Sequence, residues 1–118
     1  MANTRRLGDL GERIAETFLV LKGYEILRRN VRYAGREIDL LARHDGRLVA
    51  VEVKLRRGSR FGRAVEAIDD RKLARIRLAL EGVMSAAPRG LKARIDVVVI
   101  DLAPDLSEMV VSHIEAVC

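Results

Sequence analysis

The sequence predicts an α/β protein in which helices flank a mixed β-sheet, with the elements in the order αβββαββ. Two amphipathic patterns with the helical period stand before and after a group of three strand-like segments. A strongly β-prone run, Ile95 to Ile100, follows the second helix and precedes a last strand. Strands on both sides of a crossover helix are typical of a sheet that mixes parallel and antiparallel pairs.

Chain length and composition favour a single domain that covers residues 1–118. A chain of 118 residues can bury roughly two thirds of its unfolded surface without disulfides. The one cysteine, Cys118, is the last residue, so it has no partner for an internal bridge and fits a reducing compartment. Since the sequence has no long apolar run and no charged-then-apolar leader, we expect a cytoplasmic protein with no membrane partner.

The first helix is expected from Gly8 or Asp9 to Gly23, after a flexible basic arm at residues 1–7. Asp9 is a candidate cap and Gly23 a candidate stop signal. The apolar residues on one face of this helix are Ile14, Ala15, Phe18 and Leu21. Glu12 lies beside that face, and a glutamate in the first turn is also favoured by the helix dipole. Local pattern alone makes Glu12 a solvated residue, unless the helix packs across the hairpin that follows.

The central segment of the chain predicts a β-hairpin that carries four charges on one face. An Asp-Gly pair at positions 45–46 stands between two apolar-rich runs, which is the strongest local signal for a two-residue hairpin turn. With this turn, Asp39 faces Glu52 across the hairpin. Glu37 then faces Lys54, so the four charged side chains point to the same side.

The opposite face of the hairpin is predicted to be wholly apolar. Side chains alternate along a strand, so a slip of one residue would exchange the two faces. The residues predicted to face the core are Ile38, Leu40, Ala42, Val49, Val51 and Val53. Such a face belongs in the core, which supports the chosen register.

The second helix is expected from Asp69 or Asp70 to about Ala86. Either aspartate can cap the start, while Pro88 and Gly90 follow the end. Its apolar face is predicted from Leu73, Ile76, Leu80 and Val83, and its basic face from Arg71, Lys72, Arg75 and Arg77. The remaining strands are expected at residues 24–33, 93–102 and 109–117.

The two facing carboxylates predict a divalent-metal site. Directly opposed side chains lie roughly 4.5–5.5 Å apart at Cβ, where two carboxylates repel unless a cation lies between them. Asp39, Glu52 and the backbone carbonyl of Val53 offer oxygen ligands, which suit Mg²⁺ or Mn²⁺ better than zinc. Lys54 could orient or deprotonate an attacking water in phosphodiester hydrolysis. The alternative is a set of surface cross-strand ion pairs, which the apolar opposite face makes the weaker interpretation.

The net charge of +5 is unevenly distributed and indicates a polyanionic partner. Residues 1–77 contain 19 Lys or Arg against 11 Asp or Glu, whereas residues 78–118 contain 3 against 6. Arginine predominates between positions 54 and 77, and its planar fork suits phosphate. The candidate nucleic-acid-binding residues are Arg56, Arg57, Arg60, Lys72 and Arg75. A solvated basic face has equal weight on charge alone, and Lys72 has equal weight as a salt-bridge residue.

Aromatic residues are too few to favour single-stranded nucleic acid. The chain has two Phe, two Tyr and no Trp, which leaves little surface on which unpaired bases could stack. Duplex or branched DNA is therefore the expected partner. A nuclease that acts on two strands would need a homodimer, although no sequence feature marks a dimer face.

A family resemblance extends the hairpin motif to most of the chain. Asp39, followed thirteen residues later by Glu52-Val53-Lys54, resembles the Asp…(Asp/Glu)-x-Lys core of the restriction-endonuclease-like nuclease superfamily. More closely, the chain resembles the YraN family of small bacterial proteins with that fold. The matching positions are Gly11-Glu12, Arg29-Asn30, Glu37-Ile38-Asp39-Leu40, Val51-Glu52-Val53-Lys54, Phe61-Gly62, Glu66-Ala67, Lys72 and Asp96-Val97.

The resemblance implies a restriction-endonuclease-like core and a site of four residues. It implies that Asp39 and Glu52 bind the metal, that Lys54 is catalytic and that Glu12 completes the site, as in the similar archaeal Holliday junction resolvases. The function expected is metal-dependent endonuclease activity on DNA, including branched or structured DNA. The alternatives are a non-catalytic DNA-binding module with the same fold and a protein-interaction scaffold.

The two histidines are interpreted as structural. His44 falls in the hairpin turn and His113 in the last strand. They lie far apart in sequence, and neither has a second ligand nearby in the chain.

Overall fold

The elements follow the predicted order. The computed structural model describes residues 4–58 and 63–117, with side chains described from residue 6 onward. The elements are α1 (Thr4–Leu21), β1 (Glu25–Tyr33), β2 (Arg36–His44), β3 (Arg47–Arg57), a short 3₁₀ helix (Ala64–Ala67), α2 (Asp70–Met84), β4 (Lys92–Leu102) and β5 (Met109–Ile114). The order αβββαββ is therefore confirmed. No helix in the described ranges is long and apolar enough to span a membrane.

The five strands form one mixed sheet with a helix on each side. The strand order is β1-β2-β3-β4-β5, and the pairs are antiparallel except for the parallel pair β3–β4. Because α2 lies between β3 and β4 in the chain, it forms the crossover that a parallel pair requires. Ala15 and Leu19 of α1 pack on one face of the sheet. Ile76 and Leu80 of α2 pack on the other, so the protein has three layers.

The first helix begins earlier than the sequence predicts. It starts at Thr4, so residues 4–7 of the expected flexible arm are helical, whereas residues 1–3 lie outside the described part. Gly8 therefore lies inside the helix, where a glycine costs about 1 kcal/mol relative to alanine without ending the helix. The expected cap Asp9 is likewise an interior residue, and the prediction that the helix starts at Gly8 or Asp9 was wrong.

The predicted stop signal of α1 is confirmed. Gly23 has a positive φ of 94°. Its N–H donates to the Val20 carbonyl at 3.0 Å, and the Tyr24 N–H donates to the Leu19 carbonyl at 3.0 Å. These two bonds form a Schellman motif, which satisfies carbonyls at the helix end.

The turn between β2 and β3 has the backbone that its sequence predicts. Asp45 and Gly46 have φ values of 51° and 71°, as a type I′ turn requires. The register is the predicted one, since Leu40 pairs with Val51 and Ala42 with Val49. The turn between β1 and β2 also has two residues with positive φ.

The hairpin ladder is shorter than predicted, and this changes one face assignment. Regular β2–β3 pairing ends at Leu40 and Val51, so the two strands separate before Asp39. Ile38 was expected to share a face with Leu40, but it packs in the α2-side cluster with Ile76. The alternation of side chains breaks because the strand is irregular at Asp39. The other five residues predicted on this apolar face pack in or against the α1-side cluster.

Helix α2 and the last strands differ from prediction only at their ends. Asp69 is the N-cap, and its carboxylate accepts the N–H of Arg71 at 3.0 Å and of Lys72 at 3.4 Å. The helix ends at Met84, two residues early. Strand β5 ends before residues 115–117, although the Val117 N–H still donates to the Ile95 carbonyl at 2.8 Å.

The two histidines meet in a buried polar cluster around Asp96, at the C-terminal end of α1. Tyr24 Oη donates to Asp96 Oδ2 at 2.9 Å, His113 Nε2 lies 2.8 Å from the same oxygen, and Arg94 donates to Oδ1 at 3.0 Å. His44 stacks on the Tyr24 ring with centroids 3.9 Å apart. Burial alone would raise the pKa of Asp96, but these hydrogen bonds lower it well below its usual value. This fully bonded cluster has the character of a structural network.

Candidate active site

The sequence-predicted site residues come from four elements that meet where β2 leaves β3. Asp39 lies on β2, Glu52 and Lys54 lie on β3, and Glu12 lies on α1. Helix α2 adds Lys72 from the other side of the sheet. The site is therefore built where both helices approach the open end of the central hairpin.

The Asp39 carboxylate is held against β3 by a backbone hydrogen bond. The Val53 N–H donates to Asp39 Oδ2 at 2.9 Å. This side chain supplies an acceptor just beyond the point where regular β2–β3 pairing ends. Burial raises the pKa of Asp39, and the Val53 N–H partly opposes that rise because it favours the charged form.

Glu52 is a buried carboxylate without a well-formed hydrogen bond. Its residue surface is only 6% exposed, and neither carboxylate oxygen has a well-formed hydrogen bond to the described residues. Lys72 Nζ lies 2.6 Å from Oε1 and forms an ion pair with it. Burial and then the charge of Asp39 raise the pKa of Glu52 to about 7. The Lys72 ammonium therefore offsets the charge of Glu52 at Oε1. Oε2 has no hydrogen-bond partner among the described residues, and a buried carboxylate oxygen without a partner is costly.

Glu12 reaches the site through Asn30. With the amide oriented to satisfy both neighbours, Asn30 donates to Glu12 Oε1 at 3.0 Å and to Glu37 Oε1 at 3.1 Å. Asn30 can do so because it has a positive φ of 52°, a conformation in which asparagine is enriched. Burial and then the charge of Asp39 raise the pKa of Glu12 to about 7. Helix α1 does pack across the hairpin, which is the condition for Glu12 to matter.

Glu37 does not face Lys54 across the hairpin, as the predicted register requires. Glu37 forms its ion pair with Arg32 of β1, at 3.6 Å, because the β2–β3 ladder has already ended at this level. Lys54 is exposed and lines a small cavity together with Glu52 and Lys72. Its ammonium is therefore open to solvent at the edge of the site.

Two of the candidate nucleic-acid-binding arginines are held by other parts of the protein. Arg56 forms a two-pronged pair with Asp101 of β4, with distances of 2.6 and 3.0 Å. Arg57 donates to the Pro104 carbonyl at 3.2 Å. Both side chains thus tie the end of β3 to the β4–β5 region.

The other three candidates differ in their surroundings. Lys72 is the ion-pair partner of Glu52. Arg75 is exposed on α2, and Arg60 lies outside the described residues, as do Phe61 and Gly62 of the family motif. Arg56, Arg57 and Lys72 would each have to break one of these contacts to bind a phosphate. For Arg75, no such contact has been described.

The donor set fits Mg²⁺ or Mn²⁺ through two carboxylates rather than three. Within residues 4–58 and 63–117, no group of three Asp, Glu, His or Cys side chains is arranged to hold one ion. The charge of Asp39 nevertheless acts on Glu52 and raises the pKa of that carboxyl group, and the Glu52 oxygens have no well-formed hydrogen bonds to the described residues. Mg²⁺ is commonly bound by one or two carboxylates and keeps several waters. Glu12 faces Asn30, so its contribution to this site is electrostatic.

Sequence reasoning missed the role of Asn30 and the partner of Lys72. Asn30 appeared only as a family-motif residue, because nothing local shows that its amide joins Glu12 and Glu37. Lys72 was predicted to contact DNA or to form a salt bridge, and its partner Glu52 lies twenty residues away on β3. The motif match was the available signal for both.

The αβββαββ core, with Asp39 beside Glu52-Val53-Lys54, defines a restriction-endonuclease-like protein. Residues 11–100 match the model of the uncharacterised protein family UPF0102. The chain belongs to this family, which confirms the YraN resemblance.

Curated members of the family are similar over most of the chain. A UPF0102 protein from Roseiflexus castenholzii is 45% identical over 111 residues, covering 92% of this chain and 90% of the relative. One from Symbiobacterium thermophilum is 44% identical, with coverages of 86% and 87%. One from Corynebacterium efficiens is 40% identical, with coverages of 96% and 92%. These relatives support the family, and their names state no activity.

Proposed function

We propose that this protein is a divalent-metal-dependent endonuclease that hydrolyses phosphodiester bonds in DNA, including branched or structured DNA. The observation that carries the proposal is the buried pair Asp39 and Glu52, in which the charge of Asp39 raises the pKa of Glu52. Lys54 stands two residues from Glu52 and lines a small cavity with it. Carboxylates that hold a cation, with an amine nearby, suit metal-assisted phosphodiester hydrolysis.

Mg²⁺ or Mn²⁺ would be held by Asp39, Glu52 and the backbone carbonyl of Val53. When bound, such an ion neutralises charge on the phosphate and makes a water molecule more acidic. Asp39 is kept in place by the Val53 N–H. Glu12 adds negative charge from α1, which favours a doubly charged cation at the pair.

Lys54 is the proposed catalytic base or water-orienting residue. Lys54 is an exposed residue, so its side chain can reach a water or a phosphate oxygen at the edge of the site. As a base it would act in its neutral amine form and take a proton from the attacking water, becoming an ammonium. In its ammonium form it would instead donate hydrogen bonds to the phosphate as negative charge develops.

DNA is the proposed partner because the basic residues are concentrated in the part of the chain that builds the site. Residues 1–77 hold 19 of the 22 Lys and Arg. Arg75 is exposed on α2, the helix that also carries Lys72 to Glu52. Cutting both strands would require two copies of this single site.

The test is metal-dependent cleavage of labelled duplex, flap and four-way-junction DNA. Wild type should cut at least one of these with Mg²⁺ or Mn²⁺ and none with EDTA. Lys54→Ala should lower the cleavage rate by about 100-fold or more, the usual contribution of acid–base catalysis. Lys92→Ala is the matched control, since Lys92 is an exposed strand lysine on β4, and it should cut at the wild-type rate. Inert wild type on all substrates, or full activity in Lys54→Ala, would contradict the proposal.

A DNA-binding module without turnover is the second candidate. The Lys72 ammonium lies against Glu52. A side chain of the protein can therefore neutralise this carboxylate without a metal ion. A pure binding module should bind DNA equally well with and without Mg²⁺ in calorimetry, and Asp39→Asn should leave that affinity unchanged. A protein-interaction scaffold would show no salt-dependent affinity for DNA.

A further inference from the structure

Lys72 is placed at the site by the start of α2. It lies in the first turn of the helix, where the Asp69 cap accepts its N–H. From there the side chain reaches across to β3, and Nζ lies 2.6 Å from Glu52 Oε1. The position of this ammonium is therefore set by the capped helix end and by the carboxylate it meets.

The ammonium of Lys72 acts on the whole acidic group as well as on Glu52. Burial works against its charged form, yet the carboxylates of Glu52, Asp39 and Glu37 together raise the pKa of Lys72 above its usual value. In turn Lys72 lowers the pKa values of Asp39, Glu52 and Glu12. It is thus the shared counter-charge of the site, which is the electrostatic role a divalent ion would also have.

The Lys72 ammonium and a metal ion would compete for the same oxygen of Glu52. Lys72 Nζ lies 2.6 Å from Glu52 Oε1, and both residues line the same small cavity. Mg²⁺ binds carboxylate oxygens at about 2.0–2.1 Å and keeps several waters when it binds. An ion at Oε1 therefore needs the place that the Lys72 ammonium occupies.

Of the two partners, Lys72 is the one that can move away. Its side chain is 52% exposed, whereas that of Glu52 is 8% exposed. A lysine side chain has a flexible four-carbon stem, and its ammonium group is strongly hydrated when it is exposed to water. Rotation of Lys72 into solvent therefore costs little beyond the ion pair itself.

We propose that Lys72 is a built-in competitor that occupies Glu52 until a divalent cation displaces it. The inference rests on the proposed metal-dependent function and adds a regulation to it. The ion pair keeps the acidic site neutralised when divalent cations are scarce. The ion must bind Glu52 more favourably than Lys72 does. The affinity of the protein for the ion therefore depends on the difference between these two interaction free energies.

The test is calorimetric titration of Mg²⁺ and Mn²⁺ into wild type, Lys72→Met and Arg71→Met. Arg71→Met is the matched control, because it removes one positive charge from the same helical turn and its side chain is exposed. Measurements are made at about pH 8.5, which lies above the raised pKa of about 7 that Glu52 has in wild type. We expect Lys72→Met to bind the ions about tenfold more tightly than Arg71→Met, and Arg71→Met to match wild type within about twofold. A tenfold change corresponds to about 1.4 kcal/mol.

Two outcomes would overturn the inference, and they are distinguishable. Equal or weaker binding by Lys72→Met, with wild type still binding, would show that Lys72 does not compete and would leave the nuclease proposal standing. No binding by any of the three proteins would remove both proposals. Lys72→Gln serves as a second variant if Lys72→Met does not fold, as judged by its thermal unfolding transition.

Discussion

Glu52 is the residue whose surroundings are hardest to explain by folding alone. It is buried, it lies beside Asp39, and neither of its oxygens has a well-formed hydrogen bond within the described part of the chain. The Lys72 ion pair offsets part of the cost, but a well-packed apolar residue at this place would be more favourable for stability. The proposed binding of a cation would explain why a carboxylate stands here.

The raised pKa values of Glu52 and Glu12 predict how stability changes with pH in EDTA-containing buffer. Both pKa values rise from 4.5 to about 7 in the folded protein. A carboxyl group whose pKa is higher in the folded than in the unfolded protein binds its proton more tightly in the folded protein. Protonation of this group therefore stabilises the folded state. Its contribution is therefore complete below pH 4.5 and is lost as the pH rises through about 7. We expect the melting temperature to fall between about pH 5 and about pH 8, and Glu52→Gln to make that fall smaller by several degrees.

Thermal unfolding followed by circular dichroism across this pH range makes the measurement. Glu25→Gln is the control, because Glu25 is an exposed glutamate on β1 and the chemical change is the same. An equal slope in wild type and Glu52→Gln would show that Glu52 is not the group that destabilises the folded state at higher pH.

At the scale of elements, α2 is fixed to the sheet by a close contact at each end. Near its start, Asp69 caps the helix and Lys72 reaches Glu52. Near its end, the Tyr33 ring of β1 lies against Gly82, where an added Cβ would be 2.1 Å from a ring carbon. The absence of a side chain at Gly82 therefore lets the end of the first hairpin lie against the helix.

Gly82→Ala should consequently destabilise the protein by about 1 kcal/mol or more. Alanine is the better helix former by about 1 kcal/mol, but the overlap with Tyr33 forces the ring away, and overpacking typically costs about 1–3 kcal/mol. In a Tyr33→Ala background the same change should be stabilising, because the obstruction is gone. Gly8→Ala in α1 is the matched control, since nothing lies within 4 Å of its added Cβ.

Urea unfolding of the four proteins in this cycle, and of Gly8→Ala, gives the free energies of unfolding. Stabilisation by Gly82→Ala in the presence of Tyr33 would show that the ring is displaced at no cost. The coupling between the two sites, measured as the non-additive part of the cycle, is the quantity that isolates their contact.

At the scale of the whole molecule, the sequence predicts the topology well because it is encoded locally. Periodic apolar positions, Asp-Gly at the hairpin turn and Gly23 after the first helix each determine the backbone around them. The start of α1 was wrong because a single Gly8 does not end a helix whose flanking residues support it. The hairpin register was correct as far as Leu40 and Val51.

The rest of the site could not be predicted because it depends on contacts between distant elements. Beyond Leu40 and Val51, where β2 and β3 separate, the Val53 N–H donates to the Asp39 side chain. The Asn30 contacts need a positive φ and a helix packed above it. The ion pair between Lys72 and Glu52 requires the start of α2 to pack on the sheet next to Glu52. Local sequence patterns contain none of these distances, although the family motif includes all four residues.

The most direct measurement is a crystal structure of the protein soaked with Mn²⁺, with anomalous density used to locate the ion. Asp39 on β2 and Glu52 on β3 are proposed to form the metal site. Without metal, the Lys72 ammonium from α2 pairs with Glu52. We predict a peak in contact with both carboxylates and a Lys72 side chain turned away from Glu52. No peak at these carboxylates, with Lys72 still paired to Glu52 at saturating Mn²⁺, would contradict the claim.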